Sequence, residues 1–368
     1  MILKQIRICN FKNIGEAKLE FSPKVNGLLG NNGMGKSNLL DAIYYLSFCK
    51  SFSGMTDSML MRRGEDFLMV QGSYLRRGLD EEVAIGINKG RRKSLKRQGK
   101  EYQRLSSHIG AFPLVMSSPE DIELIRGASE GRRRLMDMVI SQSDHIYLDE
   151  LIRYSRALEQ RNKLLRDGVV DHNLYLAVEM AMERSAGYIH SARAKWVERL
   201  TAIFQTYYEA VAGSSEKVSL SYESSLNEPS TTMGALLDSA RRHDELLRHT
   251  SVGPHRDDIE MLIDGMPMRR AASQGQCKTY SIALRLAQYD FLRSTLDGIK
   301  PLLLLDDIFD KLDASRVERI MEVVTRPNFG QIFVTDTNRT HLDEIMSHTA
   351  GDYSLWHVTN GTFNPLSH

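Results

Sequence analysis

The sequence has few of the features that mark secreted, metal-binding or membrane proteins. Its 368 residues include only three cysteines, Cys9, Cys49 and Cys277, which form no CxxC pair and no cluster with histidine. Neither a disulfide framework nor a zinc site is therefore expected. No apolar run approaches the roughly 20 residues of a membrane span, and the start of the chain lacks the apolar segment of an export signal. We expect a cytoplasmic protein that does not associate with membranes.

The chain also lacks an excess of either charge, since 48 basic and 47 acidic residues give a net charge of +1. Overall attraction to nucleic acid is therefore not expected, and any contact must come from local clusters. The residues we call the basic run could contact DNA phosphates: Arg91, Arg92, Lys93, Lys96 and Arg97. A solvated loop is an equally good interpretation. For residues 132–134, all arginine, a DNA contact, a dimer contact and a solvated helix face all stay open.

Hydrophobic periodicity predicts an α/β fold. Short strands are expected up to residue 29, a helix over 37–49, antiparallel strands over 67–102, and a charged helical region over 119–213. A serine-rich loop over 214–232 precedes more helix, short strands over 258–268 and a helix over 276–296. The apolar segments "PLLLLDD" and "GQIFVTD" predict two buried parallel strands near the end of the chain.

A glycine-rich segment between the first buried strand and its helix matches the pattern G-x-x-x-x-G-K-[ST]. It consists of Gly30, Asn31, Asn32, Gly33, Met34, Gly35, Lys36 and Ser37. Such glycines allow successive backbone N–H groups to face a phosphate, the lysine reaches the outer phosphates, and the serine ligates Mg²⁺. The sequence therefore predicts a nucleoside triphosphate site with Mg²⁺. A tight turn that binds nothing is the weaker interpretation.

Two adjacent acids follow the buried run at 302–305. We expect Asp306 to hold Mg²⁺ and Asp307 to orient the attacking water, because α/β folds place ligands at the carboxyl ends of strands. A strand capped by solvated carboxylates is the alternative. About 30 residues upstream, Ser273, Gly275 and Gln276 lie at the start of a predicted helix, where a hydroxyl and N–H groups form an anion site. An ordinary helix cap is the simpler interpretation of that segment.

The order of these elements resembles the ABC-type ATPase heads. More specifically, the chain resembles the RecF family of bacterial recombinational repair proteins in that SMC-like superfamily. The resemblance covers essentially the whole chain and rests on "NFKN" at 10–13, residues 30–46, "SSPEDIELIRGASEGRRRLMD" at 117–137 and "VGPHRDDIEMLIDG" at 252–265. It implies a head with an antiparallel β subdomain, formed by residues 1–118 and 250–368, and an inserted mainly helical lobe over 119–249.

The resemblance also implies function. ATP with Mg²⁺ would close a homodimer on duplex, gapped or junction DNA, slow DNA-stimulated hydrolysis would release it, and a RecR-type partner would join it in repair and replication after DNA damage. Lys12, Asn13 and Thr335 would belong to the ATP site, Ser273 would act on the partner subunit's nucleotide, and residues 309–313 would form a dimer-contacting loop. Residues 335–337 would fill the switch position, and which of Thr335, Asp336 and Thr337 senses the γ-phosphate stays open. Residues 118–121 would occupy the place of a glutamine loop. Ser53 stands where the family usually has arginine, which puts that contact in doubt.

Three other functions stay open. A purely structural head would bind ATP without significant turnover. A small-molecule kinase would also need a phosphate loop, but it has no use for a serine-glycine element that acts on a second subunit. A transporter ATPase subunit would need a surface that couples to membrane domains, and the region 119–213 has the wrong composition and length for that role.

Overall fold

The computed structural model describes residues 1–310, 312–340, 343 and 353–366. The chain forms two compact units. The first unit comprises residues 1–121, 207–214 and 274–368, and the second unit comprises residues 122–206 and 215–273. Within the described residues, no helix combines the length and the apolar character needed to cross a lipid bilayer.

An antiparallel sheet forms one layer of the first unit, with the strand order β2-β1-β4-β5-β6-β7. Its strands are β1 (Ile2–Phe11), β2 (Ile14–Glu20), β4 (Phe67–Arg76), β5 (Leu79–Asn88), β6 (Ser94–Arg97) and β7 (Lys100–Glu101). Leu3, Ile6 and Ile8 of β1 are fully buried, and the register shift between Leu3 and Gln5 explains the three-residue step in this alternation. A two-residue turn at Arg77 and Gly78, with φ of 51° and 79°, joins β4 to β5.

A mainly parallel sheet forms the second layer of the first unit, in the order β15-β14-β3-β13-β12-β8. Its strands are β3 (Val25–Leu29), β8 (Leu114–Ser117), β12 (Leu302–Asp306), β13 (Ile332–Asp336), β14 (Tyr353–Thr359) and β15 (Thr362–Pro365). Neighbouring strands from β14 to β8 run parallel, and β15 alone pairs antiparallel. Every residue of β12 and β13 is buried, which confirms the two predicted parallel strands.

Four described helices lie wholly in the first unit: α1 (Lys36–Phe48), α2 (Asp57–Leu60), α9 (Gln274–Thr295) and α10 (Ala314–Val324). α1 begins directly after the glycine-rich segment, as the periodicity of the sequence predicts. α9 also matches its predicted position. Its buried face includes Arg285, whose guanidinium makes a two-pronged ion pair with Asp121. Asp121 lies in a short 3-10 turn just after β8, so this pair anchors α9 to that end of the sheet.

The second unit is mainly helical. It contains α3 (Ile122–Arg126), α4 (Ser129–Ser143), α5 (His145–Arg166), α7 (Met233–Leu247), α8 (Met268–Ala271) and most of the long helix α6 (His172–Ala212). A small antiparallel sheet, ordered β11-β10-β9, completes it. Its strands are β9 (Val218–Glu223), β10 (Asp258–Ile263) and β11 (Met266–Pro267).

Strand β9 corrects the predicted loop over 214–232. Val218 and Leu220 are buried, and β9 pairs with β10 from Val218 opposite Ile263 to Glu223 opposite Asp258. The surrounding serines hide this short alternation in the sequence, and the pairing strand lies more than 30 residues away. The second unit also takes in residues 250–273, which the sequence interpretation grouped with the head. The predicted boundaries at 118 and 250 stay a prediction.

Candidate nucleotide-binding site

The chemistry-bearing segments of the first unit converge at one edge of the parallel sheet. Strands β3, β13 and β12 are neighbours and run in the same direction. The glycine-rich phosphate loop follows β3, the two acids stand at the end of β12, and Asp336 ends β13. Because the carboxyl ends of parallel strands meet at one edge, three segments that are distant in sequence face the same space.

The backbone of the phosphate loop explains its glycines. Gly33 and Gly35 adopt φ of 79° and 110°, in the region that side chains disfavour. Gly30 has a different reason, because a Cβ atom there would lie 2.5 Å from the carbonyl oxygen of Val358. Glycine is therefore favoured at positions 33 and 35 by the left-handed backbone, and at position 30 by the close approach of β14.

Lys36 lies at the base of this loop with 5% of its surface exposed. Its Nζ donates hydrogen bonds to the carbonyl oxygens of Gly30 at 2.6 Å and Asn31 at 3.1 Å. Burial lowers the pKa of Lys36, and the charges of Asp307, Asp306 and Asp336 oppose that shift. The ammonium group is therefore held beside the loop in a partly desolvated place, where an anionic ligand would stabilise it.

A chain of hydrogen bonds links the two acids to the loop and to β13. The Ser37 hydroxyl donates to Asp306 Oδ1 at 2.9 Å, and the fully buried Thr335 hydroxyl donates to the same oxygen at 2.7 Å. Thr335 Oγ1 also accepts the backbone N–H of Asp307 at 2.9 Å. Thr335 thus fixes both acids from behind. Its predicted contact with the nucleotide stays a prediction.

The two acids differ in exposure and in what surrounds them. Burial raises the pKa of Asp306, and its bonds from Thr335 and Ser37 oppose the shift. Asp307 is less buried, with φ of 47°. Burial and the nearby charges of Asp336 and Asp310 raise its pKa, while Lys36 opposes the shift. Asp306 is therefore fixed among donors. Asp307 faces an open recess, which is lined by Asn32, Gly33, Gly35, Lys36, Ser37, Asn38 and Asp307.

The residues around this recess fit a magnesium-bound triphosphate. Ser37 and Asp306 offer two adjacent oxygen ligands of the type that Mg²⁺ takes. Among the described residues, no group of three or more His, Cys, Asp or Glu side chains could hold a metal by itself. A Mg²⁺ ion held by Ser37 and Asp306 would take its remaining ligands from phosphate oxygens and water. The loop N–H groups and Lys36 supply the positive side.

Of the two residues that the resemblance adds to the site, Asn13 contacts the phosphate loop directly, whereas Lys12 contacts Asp41 and Ser53. The Lys12 ammonium forms an ion pair with the buried Asp41 at 2.6 Å, and Asp41 also accepts hydrogen bonds from Ser51 and the Phe52 N–H. Asn13 donates to the Met34 carbonyl oxygen at 3.3 Å. Lys12 also donates to Ser53. The structure thus gives Lys12 and Asn13 defined partners beside the loop.

The predicted signature lies at the start of α9. Ser273 is exposed and immediately precedes the first helical residue, Gln274. Gly275 and Gln276 belong to the first unit but are not among the described residues that line the recess. A role for these residues on a nucleotide held by another subunit stays a prediction. In the expected dimer loop at 309–313, Lys311 lies outside the described residues.

The basic run divides into two groups. Lys93 donates to Asp57 at 2.8 Å and lies over the Tyr45 ring, and Arg97 is paired with Glu81. Arg91, Arg92 and Lys96 are exposed. Their side chains are therefore the part of the run that a phosphate backbone could reach. Lys93 and Arg97 instead form ion pairs within the protein.

The arginines at 132–134 also differ from one another. Arg132 is buried and makes a two-pronged ion pair with Asp258 at 2.6 and 2.9 Å. Arg133 donates to the carbonyl oxygen of Asp257 at 2.7 Å. Arg134 is exposed. Two of the three arginines therefore connect α4 to the start of β10 within the second unit.

The "GPHRDD" segment forms a buried polar cluster in the second unit. Arg193, 2% exposed, donates to Asp257 at 2.9 Å, Asp137 at 2.8 Å and the Pro254 carbonyl oxygen at 2.6 Å. His255 is hydrogen bonded to Tyr154 at 2.8 Å and to the Thr250 carbonyl at 3.0 Å. Burial lowers the pKa of His255 to about 4. These contacts give the segment a structural role within the second unit.

Sequence reasoning missed Asn38 in the recess and the C-terminal contacts of the phosphate loop. Asn38 lines the recess and donates to Asn13 Oδ1 at 2.7 Å. Val358 and Gly361, more than 300 residues further on, contact the phosphate loop. The Asn360-Gly361 pair is a typical hairpin turn signal. Nothing in its local sequence shows that the turn lies against the loop.

Comparison with known proteins gives a family match over most of the chain. A model of the RecF/RecN/SMC N terminal domain matches residues 2–357. The chain is 49% identical over 366 residues to the DNA replication and repair protein RecF of Parabacteroides distasonis, covering 100% of both chains. It is 47% identical over 368 residues to the protein of that name from Bacteroides fragilis, covering 100% of this chain and 99% of the relative.

Solved structures agree with this match. A structure described as the recombination mediator protein RecF-ATPrS in the RecFOR pathway superposes with a TM-score of 0.88 at 29% identity, covering 99% of this chain and 98% of that chain. The Smc head domain of Pyrococcus furiosus superposes with a TM-score of 0.59 at 16% identity, covering 100% and 96%. The second likeness concerns the fold alone. The expected ABC-type head fold is confirmed.

Proposed function

The chain belongs to the RecF family of DNA replication and repair proteins, and from this premise we propose that it binds ATP with Mg²⁺ and uses it to control a homodimer on DNA. One observation carries the proposal. The phosphate loop, the Ser37–Asp306 pair and Asp307 meet in a single recess at the carboxyl edge of the parallel sheet. A solved relative described as RecF-ATP supports the choice of nucleotide.

Binding would use groups that the fold already orients. Backbone N–H groups at the glycines and the start of α1 face the phosphates, as in other glycine-rich loops. Lys36 would exchange its bonds to the Gly30 and Asn31 carbonyls for phosphate oxygens. Ser37 and Asp306 would hold Mg²⁺, which neutralises charge on the outer phosphates. Because Thr335 anchors Asp306, the carboxylate keeps its orientation when the serine hydroxyl turns to the ion.

Turnover would depend on Asp307. Its carboxylate lines the recess, and its backbone N–H is held by Thr335. From this place it can orient a water molecule and accept its proton. An aspartate is one methylene shorter than the glutamate of most ABC transporters, so water is placed less well. We therefore expect a weak, DNA-stimulated ATPase.

Dimer formation would use the start of α9. Ser273, Gly275 and Gln276 would bind the γ-phosphate held by the loop of the partner subunit, since a serine hydroxyl and a helix N-terminus together favour an anion. ATP would then lie between two heads, and hydrolysis would let them separate.

DNA binding would use local charge, because the chain as a whole carries a net charge of only +1. The exposed residues of the basic run, Arg91, Arg92 and Lys96, could neutralise phosphates without regard to sequence. Duplex, gapped or junction DNA fits this chemistry. A RecR-type partner is proposed because the solved relatives are described as parts of the RecFOR pathway.

The main alternative is a structural head that binds ATP without significant turnover. The position of Asp307 in the recess favours turnover over this alternative. Neither a small-molecule kinase nor a transporter subunit is supported by an observation of its own.

The test is the mass of the protein in solution with ATP, with ADP and without nucleotide. We expect ATP alone to shift the mass toward that of a dimer. The Lys36→Ala variant should lose this shift while keeping the wild-type unfolding midpoint. An ATP-independent mass in the wild-type protein would contradict ATP-driven dimerisation, and wild-type ATP affinity in Lys36→Ala would contradict the binding site.

A further inference from the structure

The C-terminal hairpin lies against the phosphate loop. It consists of β14, β15 and the turn at Asn360 and Gly361. The N–H of Gly361 donates to the carbonyl oxygen of Met34 at 2.8 Å. The Asn13 side chain donates to the same oxygen at 3.3 Å. The Met34 carbonyl, in the middle of the phosphate loop, is thus held by two donors that lie far from it in sequence.

The hydrogen bond to the Met34 carbonyl also determines the direction of the Gly35 N–H, because both groups belong to one peptide. A trans peptide is planar, so the Met34 carbonyl and the Gly35 N–H point in opposite directions. Holding the carbonyl toward the hairpin turns that N–H away from the hairpin. Gly35 lines the recess. Because glycine has no Cβ, steric contacts at Gly35 do little to fix the orientation of this peptide. The hydrogen bond from the hairpin therefore supplies the constraint on its orientation.

The hairpin approaches two neighbouring segments closely, the turn between β1 and β2 and the start of the phosphate loop. A Cβ atom on the buried Gly361 would lie 2.4 Å from the backbone oxygen of Asn13 and 3.0 Å from its carbonyl carbon. At the start of the phosphate loop, a Cβ atom on Gly30 would lie 2.5 Å from the Val358 carbonyl oxygen. The hairpin thus contacts the loop at its start through Val358 and near its middle through the bond from Gly361 to Met34.

We propose that the C-terminal hairpin is a positioning element for the nucleotide, acting through the Met34 peptide to orient the N–H groups of the phosphate loop. This inference rests on the proposed ATP-binding function of that loop. Gly361 is a positioning residue, since it acts through Met34.

The chain offers a matched control in the two-residue turn between β4 and β5. Arg77 and Gly78 have φ of 51° and 79°, and Asn360 and Gly361 have φ of 48° and 79°. Alanine at either glycine meets the same left-handed backbone. However, a Cβ on Gly78 would meet no atom within 4 Å. Comparing the two variants therefore separates turn strain from the close approach to Asn13.

The first experiment measures ATP affinity, KM, kcat and thermal unfolding for Gly361→Ala and Gly78→Ala. We expect the Kd and KM for ATP to rise on the order of 10- to 100-fold in Gly361→Ala alone, as for the loss of one hydrogen bond to a charged phosphate oxygen. The kcat should change little, because Asp306 and Asp307 are not displaced. Equal ATP affinity in the two variants would overturn the positioning role. A wild-type protein that does not bind ATP would instead overturn the proposed function.

A second experiment uses only the wild-type protein, so that it decides the question even if Gly361→Ala does not fold. Coupling between two sites is reciprocal, so a hairpin that stabilises the ATP-binding loop must itself be stabilised by ATP. A nonhydrolysable ATP analogue should slow amide hydrogen exchange in a peptide covering 356–366 and leave one covering 74–83 unchanged. An unchanged rate in the C-terminal peptide would overturn the proposal.

Discussion

Two buried cations, Arg193 of the second unit and Lys36 of the first unit, have opposite surroundings. In the second unit, Arg193 is surrounded by two carboxylates and a backbone carbonyl. In the first unit, Lys36 donates to two carbonyls of its own loop, while the acids beside it have raised pKa values. The two cations therefore have different roles. Arg193, which is paired with carboxylates of the protein, stabilises the fold, whereas Lys36, which has no carboxylate partner in its hydrogen bonds, can bind an anionic ligand.

Arg193→Met should produce the largest effect, a loss of stability of the second unit. Removing the guanidinium leaves Asp257 and Asp137 without their buried cation, which costs about 3–5 kcal/mol of unfolding free energy. Trp196 and Trp356 lie in different units, so urea unfolding followed by Trp196 fluorescence in a Trp356→Phe background reports the second unit.

Arg153→Met is the matched control for that measurement. Its ion pair with Glu150 leaves the Arg153 side chain 66% exposed, so the loss should stay below about 1 kcal/mol. Equal losses in the two variants would break the proposed contrast between buried and exposed pairing.

His255 should make the second unit sensitive to acid. Its folded-state pKa of about 4 lies below its usual 6.5, so between these pH values the unfolded chain binds more protons than the folded one. Stability is therefore lost as the pH falls from 6.5 to 4, by up to about 3 kcal/mol. Asp257, whose pKa burial raises, acts in the opposite sense.

Urea unfolding between pH 4 and 7 tests this dependence. His255→Gln should flatten the curve, and His145→Gln, at an exposed site, should leave it as in the wild type. If His255→Gln kept the wild-type slope, another group would be responsible for acid loss of stability.

Asp307→Asn tests the role of the Asp307 carboxylate in ATP turnover. Turnover should fall about 100-fold, or about 2.7 kcal/mol in barrier, because the amide cannot accept a proton from water. ATP binding should survive, and the ATP-bound dimer should last longer on duplex DNA. Asp306→Asn should instead weaken Mg²⁺-dependent binding.

ATP hydrolysis and dimer lifetime by light scattering should be measured together for both variants. A wild-type rate in Asp307→Asn, or a dimer that separates as fast as the wild type, would contradict the gating role of this acid.

Substitutions in the basic run should have the smallest effects. They compare exposed cations with paired cations within one segment. Changing Arg91, Arg92 and Lys96 to glutamine should weaken duplex binding and reduce the salt slope by about 0.9 for each lost phosphate contact. Lys93→Gln and Arg97→Gln should instead lower stability, since these residues pair with Asp57 and Glu81. An unchanged salt slope in the triple variant would place DNA binding elsewhere.

The sequence predicted those parts of the site that are local patterns. The phosphate loop, the strand before it and the helix after it are specified within 24 residues, from Val25 to Phe48. The acids after β12 were predictable for a similar reason, because a buried strand ending in charge is a local signal. The order of these elements in the sequence led to the resemblance to a known family, and that resemblance implied the head fold.

What could not be predicted depends on packing between distant segments. Lys93 and Arg91 are almost adjacent in the chain, yet Asp57 and Tyr45 engage the lysine while the arginine is exposed. The strand β9 was hidden because its partner lies far along the chain. The contact of Gly361 with the loop has the same cause, and periodicity carries no trace of it.

The strand order of the parallel sheet also bears on how the protein is made. β3 emerges early in translation, but its two neighbours in the sheet, β13 and β14, are among the last strands to be synthesised. At about 5–20 residues per second, β3 waits for tens of seconds with both edges open. An apolar strand with open edges is prone to pair with other chains. The nascent chain is therefore exposed to such pairing until β13 and β14 have been synthesised, and a ribosome that stops before them yields a product with the whole phosphate-loop motif but no completed site.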